Sequence, residues 1–272
     1  MMCKGPYRQG VMTYGCGQCL PCRINKRREW TSRLQMERLH HEHASFITLT
    51  YNDESMPKDL CVTKREAQLF LKKLRGELYP RQIRYFIVGE YGDQSQRPHY
   101  HAIIFGHSPT EVEVVEKCWK KGFVQVGTAE TKSMSYCGSY VVKKWTKSGH
   151  PSLEGRNPEF SLMSKGLGKE FAQRVIQTYQ TESGRRVREK QEEISITYKQ
   201  NGRTWPMGRY VKEKVYEGLG ITKEERKRIN QIRNDKVAAK AFPLTTTERQ
   251  QREENVRRKE AQNLSRKTIR TL

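Results

Sequence analysis

The sequence predicts an α+β fold, built on a ferredoxin-like antiparallel sheet with helices on one face. Alternating β-branched and aromatic residues mark strands at residues 45–51, 82–90 and 99–105, and helical spacing marks segments that follow the first and third of them. The resulting order, β-α-β-β-α-β-α, is the split βαβ pattern of that architecture. The opposite face of the sheet is then free to carry a site.

Local patterns define the first two helices and the strand between them. Residues 23–41 (RINKRREWTSRLQMERLHH) have apolar side chains at helical spacing among many cations, which predicts a basic helix. The strand at 45–51 (SFITLTY) ends in the turn formers NDES. Thr63 and Glu66 form a capping box, so we expect a second helix that starts there and stops at Gly76.

The middle of the chain predicts a hairpin and then a helix, a short strand and another helix. The turn-rich segment YGDQSQR separates the strands at 82–90 and 99–105, which suits an antiparallel pair. Pro109 stands in the first turn of the next helix. A strand at 123–126 and a helix at 133–145 complete the pattern.

The signal weakens beyond this point. A helix is predicted at 169–179, whereas the tail at 223–272 has an excess of cations and few aliphatic side chains, so helical segments or disorder are expected there. We therefore divide the chain into a Cys-rich segment with a basic helix (1–44), a core (45–182) and a basic C-terminal extension, partly helical or disordered (183–272).

The composition indicates a nucleic-acid partner. The chain has 272 residues, a formal net charge of +22 and a sequence pI near 9.8, so it attracts polyanions such as nucleic acid or an anionic membrane surface. Nucleic acid is favoured because no window approaches the roughly 20 apolar residues of a membrane span, and the N-terminus lacks the apolar core of a secretory signal. We expect a cytosolic protein with no membrane partner.

The stretch RPHYHAIIFG places two histidines one residue apart in a strand. Alternate side chains of a strand share a face, so His99 and His101 project together and Tyr100 projects to the other side. Glu90 has the parity to face them from the partner strand if the hairpin register allows it. Two imidazoles and a carboxylate form a three-ligand site with open positions, which suits a divalent ion. The alternative is a pair of core or surface histidines.

A later predicted helix carries two tyrosines and two lysines. Tyr136 and Tyr140 are four residues apart and line one helix face, and Lys143 and Lys144 straddle the same face. A phenol with a pKa of about 10 is a weak nucleophile at neutral pH and needs help from a metal, a cation or a base. A nearby ammonium can stabilise phenolate or charge that develops on phosphate. The alternative is an amphipathic helix that packs both rings against the sheet.

The cysteines near the N-terminus have the spacing of metal ligands. Cys16, Cys19 and Cys22 are separated by two-residue gaps, and Cys3 is a candidate fourth ligand for a structural Zn²⁺. Reduced thiols are an equally good interpretation.

The basic helix that follows the cysteines is a candidate DNA-binding element. Arg23, Lys26, Arg27 and Arg28 would contact phosphates of the nucleic acid, and simple solvation is the alternative. The turn KGLG at 165–168 precedes a helix and has backbone N–H groups that suit a phosphate, although an ordinary turn is favoured.

Taken together, these motifs resemble a known family. H-x-H on a strand, the upstream Glu, the F-x-T-x-T strand and Y-x-x-x-Y-x-x-K on a later helix resemble HUH endonucleases of the two-tyrosine, rolling-circle class. More closely, CGQCLPCRINKRREW, FITLTYNDESMP, PHYHAIIFG, YCGSYVVKK and FSLMSKGLGKE resemble replication initiators of gokushovirus-type microviruses, which are single-stranded DNA bacteriophages. The resemblance extends from about Cys16 to RTWPMGRY at 203–210, and it implies an HUH endonuclease core at 45–182.

The resemblance also implies residue roles. His99, His101 and Glu90 would bind Mg²⁺ or Mn²⁺, which polarises the scissile phosphodiester of single-stranded origin DNA. Tyr136 or Tyr140 would attack it, leaving a free 3′-OH for the host replication machinery and a covalent 5′-phosphotyrosine. The second tyrosine would then cleave the regenerated origin so that the released strand is rejoined. The implied location is the host bacterial cytoplasm.

Two further features bear on this mechanism. Transesterification keeps a phosphoester bond at every step, so rejoining needs no ATP, and the chain has no G-x-x-x-x-G-K-[ST] motif. Lys143 fits the family's seven-residue offset from Tyr136 better than Lys144. Two other hypotheses stay open: a non-catalytic zinc-containing DNA-binding protein with structural histidines, and an HUH transposase or relaxase.

Overall fold

The computed structural model describes residues 3, 5–9, 12–92, 95–143, 153–191, 194–240, 250, 251 and 254. The strands are β1 Tyr7–Gln9, β2 Met12–Tyr14, β3 Ala44–Tyr51, β4 Arg84–Tyr91, β5 Pro98–Phe105, β6 Gly122–Thr128, β7 Phe160–Met163, β8 Thr197–Gln200 and β9 Arg203–Pro206. The helices are α1 Leu20–Arg38, α2 Lys64–Glu77, α3 Val112–Trp119, α4 Thr131–Lys143, α5 Lys169–Gln180, α6 Glu182–Gln191, α7 Gly208–Gly218 and α8 Lys223–Lys240.

A five-stranded antiparallel sheet with the order β6-β3-β5-β4-β7 forms the centre of the fold. This sheet and its helices confirm the predicted α+β class, and the predicted β-α-β-β-α-β-α order corresponds to β3 through α4. The capping box is present, since Thr63 Oγ1 accepts a hydrogen bond from the Glu66 N–H at 3.3 Å. The short strand β7 extends the sheet beside β4.

The structure corrects one detail of the predicted arrangement, because helices cover both faces of the sheet. One apolar core lies between the sheet and α2 and α3. A second core lies on the other face, where α1 and α4 pack. The reason is that β4 and β5 carry apolar side chains on both faces, so both faces must be shielded from water. The second core includes Leu34, Phe86, Val88, Ile103, Phe105, Met134 and Cys137.

A third apolar core joins parts of the chain that are far apart in sequence. It packs α5 and α7 against the C-terminal half of α1, and its buried members include Met36, Ala172 and Val211. The β8–β9 hairpin contributes to it through Tyr198, whose hydroxyl donates to Ser32 O at 3.2 Å. Residues from all three predicted segments therefore share this core, while the division into domains stays a prediction.

Two further predictions can be compared with these elements. Helix α8 lies within the basic tail, where helical segments or disorder were expected. Residues 241–249 and 255–272 of that tail lie outside the described residues. Within the part of the chain that is described, no helix combines the length and the apolar character needed to span a bilayer.

A buried carboxylate connects α1 to the sheet and to the KGLG turn. Glu37, whose side chain is 3% exposed, accepts hydrogen bonds from Arg84 Nε, from the Gly168 N–H at 2.6 Å and from His41 Nε2 at 3.2 Å. Burial alone would raise the pKa of Glu37, but the hydrogen bonds from His41 and Gly168 and the charge of Arg84 outweigh it and lower the pKa. The turn therefore binds an anion that belongs to the chain itself.

We expect Glu37→Gln to lower the free energy of unfolding by about 2–4 kcal/mol at pH 7, because Arg84 loses its partner. The pKa of the folded state is depressed, so this stabilisation is complete above the unfolded pKa of about 4.3 and is lost as the pH falls through the folded pKa. Urea denaturation at several pH values should show a difference that narrows in acid. Glu213→Gln, in an exposed ion pair with Arg209, is the control and should change little. A difference that widens in acid would contradict this role of Glu37.

Candidate functional site

The register of the sheet places the histidine pair and its carboxylate on one face. Glu90 of β4 is directly opposite His99 of β5, and β3 places Thr50 opposite His99 and Thr48 opposite His101. Directly paired residues in an antiparallel sheet point to the same side. The hairpin register that the sequence left open is therefore the one that brings Glu90 to the imidazoles.

The three side chains converge on one carboxylate oxygen. Glu90 Oε1 lies 2.9 Å from His99 Nε2 and 2.7 Å from His101 Nε2, and Glu90 is 2% exposed. Adjacent ligand atoms around an octahedral Mg²⁺ at 2.0–2.1 Å are about 3 Å apart, so these separations fit such an ion after small adjustments. Oxygen and imidazole donors also suit Mn²⁺.

The outer nitrogen of each imidazole is held in place by another group. His99 Nδ1 lies 3.0 Å from the Arg97 carbonyl oxygen, and His101 Nδ1 lies 3.0 Å from Thr48 Oγ1. His99 thus faces a pure acceptor at both of its nitrogens, since Arg97 O and Glu90 Oε1 have no hydrogen to donate. An imidazole in that position is stable when it is protonated or when a cation lies at Nε2.

Ionisation of the site follows from this geometry. Burial by itself would raise the pKa of Glu90, but hydrogen bonds from His101 and His99 hold it well below its ordinary range. Burial would lower the pKa of His99, and the bond to Glu90 outweighs burial and raises it. The site therefore concentrates negative charge on one buried carboxylate, which favours a positive partner.

Helix α4 brings both tyrosines to the same carboxylate. The Tyr136 hydroxyl donates to Glu90 Oε1 at 2.9 Å and lies 3.3 Å from His101 Nε2. The Tyr140 hydroxyl donates to the Tyr136 oxygen at 2.7 Å. Burial, and then the charge of Glu90, raise the pKa of both phenols, so both carry their protons. The tyrosines that the sequence placed on one helix face do face the histidine pair.

The two predicted lysines cannot be compared with this geometry. Lys143 is the last residue of α4, and its side chain lies outside the described residues. Lys144 lies outside them altogether. Their proposed role stays a prediction.

Close packing against α1 holds α4 over the site. Gln35 Nε2 donates to Thr131 Oγ1 at 2.8 Å near one end of the contact, and Gly138 approaches Thr31 and Arg27 further along. The two helices therefore run antiparallel, and Gly138, between the two tyrosines in the sequence, lies against α1. The N-terminal half of α1 consequently lies beside the C-terminal end of α4.

The four N-terminal cysteines form a second cluster. Cys3, Cys16, Cys19 and Cys22 have sulfur atoms that all lie within 4.8 Å of one another. Cys3 and Cys19 have sulfurs 3.7 Å apart, close to the edge of about 3.8 Å expected for a tetrahedron with Zn–S bonds of about 2.3 Å. The cysteine set that the sequence only suggested is thus gathered at the N-terminus of α1.

Backbone geometry supports the cysteine cluster. A Cβ on Gly15 would lie 2.8 Å from Cys22 Sγ, so this close approach requires glycine. The Cys16 N–H donates to Cys3 Sγ at 3.2 Å, and the Cys19 N–H donates to Cys16 Sγ at 3.3 Å. A hydrogen bond from Gly17 lowers the pKa of Cys22, but burial and the thiols of Cys19 and Cys3 raise it to about 12. Thiols this close do not all ionise without a cation between them.

The predicted DNA-binding residues line the exposed side of α1. Arg27 and Arg28 are exposed, Arg23 is half-buried, and Lys26 forms an ion pair with Glu29 at 3.2 Å. The other three cysteines of the chain, Cys61, Cys118 and Cys137, are buried.

Sequence reasoning missed the contribution of Thr48. Its hydroxyl orients His101 from the neighbouring strand, and the only signal was the F-x-T-x-T pattern of β3. That pattern shows that Thr48 and Thr50 share a face. It does not show which of them is opposite His101, because this depends on the pairing of β3 with β5.

The site is of the two-histidine, one-carboxylate type with two adjacent tyrosines, and comparisons with known proteins agree with its motifs. Residues 44–147 match the family model for the replication-associated protein ORF2. The chain is 31% identical over 153 residues to replication-associated protein VP4 of Bdellovibrio phage phiMH2K, which covers 48% of each chain. It is 28% identical over 152 residues to replication-associated protein ORF4 of Chlamydia phage 1, covering 48% of this chain and 38% of that one.

These comparisons confirm the resemblance to phage replication proteins that the motifs predicted. The chain spans about half the length, or less, of the curated relatives it matches. No solved structure matches it significantly.

The α1–α4 contact leads to a stability prediction. A Cβ on Gly138 would lie 3.4 Å from Thr31 Oγ1 and 3.5 Å from Arg27 O, which is ordinary contact. Gly138→Ala should therefore be tolerated, with a gain of up to about 1 kcal/mol from helix propensity. Gly138→Leu should cost about 1–3 kcal/mol, because the larger side chain overpacks the contact. Urea denaturation measures both, and equal stability of the two variants would contradict the close approach.

Proposed function

We propose that this chain is a rolling-circle replication initiator that nicks single-stranded origin DNA by tyrosine attack and later rejoins the strand. One observation carries the proposal. The Tyr136 oxygen lies 2.9 Å from the same Glu90 oxygen that both histidines contact, so a nucleophile and a set of metal-binding groups meet at one point. The names of the relatives, which are replication-associated proteins of phages, support the same function.

The proposed reaction starts from a protonated phenol. Tyr136 donates its proton toward Glu90 Oε1, and its raised pKa makes it a poor nucleophile in the absence of a nearby positive charge. A Mg²⁺ or Mn²⁺ held by Glu90, His99 and His101 would supply that charge and polarise the scissile phosphate. The phenolic oxygen then bonds to phosphorus, the bond to the 3′ oxygen breaks, and that oxygen takes up a proton. The strand is left with a free 3′-OH and a 5′-phosphotyrosine.

A second nucleophile stands ready for the later step. Tyr140 is hydrogen-bonded to Tyr136 at 2.7 Å, so it is near enough to attack a second phosphate after one round of copying. We assign the first cleavage to Tyr136 because its oxygen contacts both Glu90 and His101. Each step exchanges one phosphoester for another, so the released strand can be joined without ATP.

Other parts of the chain would recruit the substrate. Arg23, Lys26, Arg27 and Arg28 on α1 would contact phosphates of origin DNA, and the charge of +22 favours any polyanion. Lys143 or Lys144 would stabilise charge at the phenol or the phosphate. The free 3′-OH would serve the replication machinery of the bacterial host, in whose cytoplasm we place the reaction.

Two other functions are compatible with parts of this arrangement. A non-catalytic, zinc-containing DNA-binding protein would use the basic helix and the cysteines but would leave the tyrosines without a role. A transposase or relaxase would use the same chemistry for a different biological outcome. The convergence of Tyr136 on Glu90 favours an enzyme over a simple binding protein.

The adduct is the direct test of the enzyme. With single-stranded origin DNA and Mn²⁺, the protein should give a covalent protein–oligonucleotide band on a denaturing gel. Tyr136→Phe should remove most of this band, Tyr140→Phe should retain the first cleavage, and the double variant should show none. Chelation of the divalent ion should abolish the band as well.

A matched control separates chemistry from folding. Tyr85 is half-buried and packs on the opposite face of the sheet, so Tyr85→Phe should form the adduct at the parental rate. A band that survives the double tyrosine substitution would contradict tyrosine attack. DNA binding without any band, under conditions where the control is folded, would favour the non-catalytic protein.

We also propose that Cys3, Cys16, Cys19 and Cys22 bind one structural Zn²⁺. The donor set is all sulfur and the sulfur separations fit a tetrahedron, which is the arrangement of closed structural zinc sites. The ion would fix the start of α1 beside the C-terminal end of α4. It would therefore support the position of the tyrosines without taking part in the reaction.

Metal analysis checks the zinc proposal. The purified protein should contain about one Zn²⁺ per chain, and Cys16→Ser should lose it, because three thiolates hold the ion less tightly than four. Cys118→Ser, at a buried cysteine outside the cluster, should keep it. Protein that contains no zinc after expression in zinc-supplemented medium, with all four thiols free, would contradict the site.

A further inference from the structure

Phe123 is a large apolar side chain that is 71% exposed, in a protein whose other phenylalanines on the sheet are largely buried. It lies on β6, an edge strand of the sheet. Exposed apolar groups on sheet edges favour aggregation unless they bind a partner. Its exposure therefore needs an explanation.

The sheet register puts Phe123 in the same row as the candidate site. Glu90 is opposite His99, His99 is opposite Thr50, and Thr50 is opposite Phe123. All four side chains consequently share one face, and the neighbours of Phe123 on β6, Val124 and Val126, pack toward the other face as their parity requires. Strands are about 4.8 Å apart, so Phe123 stands about 10 Å from His99, on the order of one to three nucleotides along a strand.

The β6 side of this face is open. Helix α4 packs over β4, β5 and β7. On β6, Gln125 is exposed, and a Cβ built on Gly127 would have no atom within 4 Å. The floor between α4 and the sheet edge is therefore formed by Thr48, Thr50, Gln125 and Phe123, and it leads directly to the histidines.

Charge decides which partner fits. A second copy of the chain would bring another +22 against the same surface, which opposes self-association through this edge. A single strand of DNA carries the opposite charge, and its bases stack on aromatic rings regardless of sequence. The exposed side chains of Lys120, just before β6, and Lys132, just after it, are placed to meet its phosphates.

We propose that single-stranded DNA lies across the β6 side of this face, with a base next to the scissile phosphate stacked on Phe123. This inference rests on the proposed function for the position of the scissile phosphate. The stacking itself requires only binding.

The test measures binding without chemistry, in a Tyr136→Phe background. Fluorescence anisotropy with a labelled oligothymidine of about 16 nucleotides gives the Kd in the presence of Mn²⁺. Phe123→Ala should raise the Kd about 5- to 150-fold, the range that loss of one stacked base produces, and Phe123→Trp should restore it. An otherwise identical abasic strand should bind the parent and Phe123→Ala equally, because it keeps the phosphates and lacks the bases.

A control and a second measurement make the result decisive. Tyr79 is 83% exposed and follows α2 on the other side of the sheet, so Tyr79→Ala should leave the Kd unchanged. An unchanged Kd in Phe123→Ala, or an equal loss with the abasic strand, would overturn the inference. So would light scattering that shows a dimer which only Phe123→Ala dissociates, since the ring would then serve self-association.

These outcomes are independent of the nicking test. If the covalent adduct forms and Phe123→Ala binds normally, the stacking proposal fails alone. If the base-dependent loss of affinity is seen and no adduct ever forms, Phe123 is a DNA-binding residue and the nicking function fails.

Discussion

The antiparallel register of β4 and β5 is the constraint on which the candidate site depends. It sets Glu90 directly opposite His99, and the alternation of side chains then carries His101 to the same face. A slip of one residue would turn both imidazoles into the core and bring Tyr100 to the site. Tyr100 resists this slip, because its ring is buried in the opposite core and its hydroxyl lies 3.2 Å from the hydroxyl of Tyr51. The middle residue of the H-Y-H motif thus fixes the position of the outer two.

The remaining components reach the sheet from helices, and their placement depends on packing over long sequence distances. Trp30 of α1 packs on Phe86 of β4, with ring centroids 5.4 Å apart, while Gly138 lets α4 approach α1 closely. These contacts bring Tyr136 within hydrogen-bond distance of Glu90. The two phenols are therefore positioned by rigid elements on both sides, which is what a reaction that needs an aligned nucleophile requires.

The sequence alone predicted the parts of the fold that have strong local periodicity. The strands from Ala44 to Phe105, their antiparallel pairing and the cap at Thr63 were accessible because alternation and capping are local properties. The sharing of one face by His99, His101 and Glu90 was also accessible, since it follows from parity. Strand β7 and the β8–β9 hairpin were missed because strands of four residues give too few alternations to stand out.

Other features could not be predicted because they depend on tertiary contacts. The cover of the second face by α1 and α4 follows from packing between distant segments. The hydrogen bond from Thr48 to His101 depends on the pairing of β3 with β5, and the exposure of Phe123 depends on which strand forms the edge. Likewise, no spacing rule places Cys3 beside Cys19, since the β1–β2 hairpin has to fold back first.

Helix α1 takes part in three regions of the structure at once. Its first turn carries Cys22 of the cysteine cluster, Leu34 belongs to the core under α4, and Met36 belongs to the core with α5 and α7. A chain shortened to begin at Ala44 would leave two apolar surfaces bare that these side chains now shield. The N-terminal segment is thus an internal support of the nuclease-like core, and an evolutionary exchange of that segment would demand compensating changes on two separate helical layers.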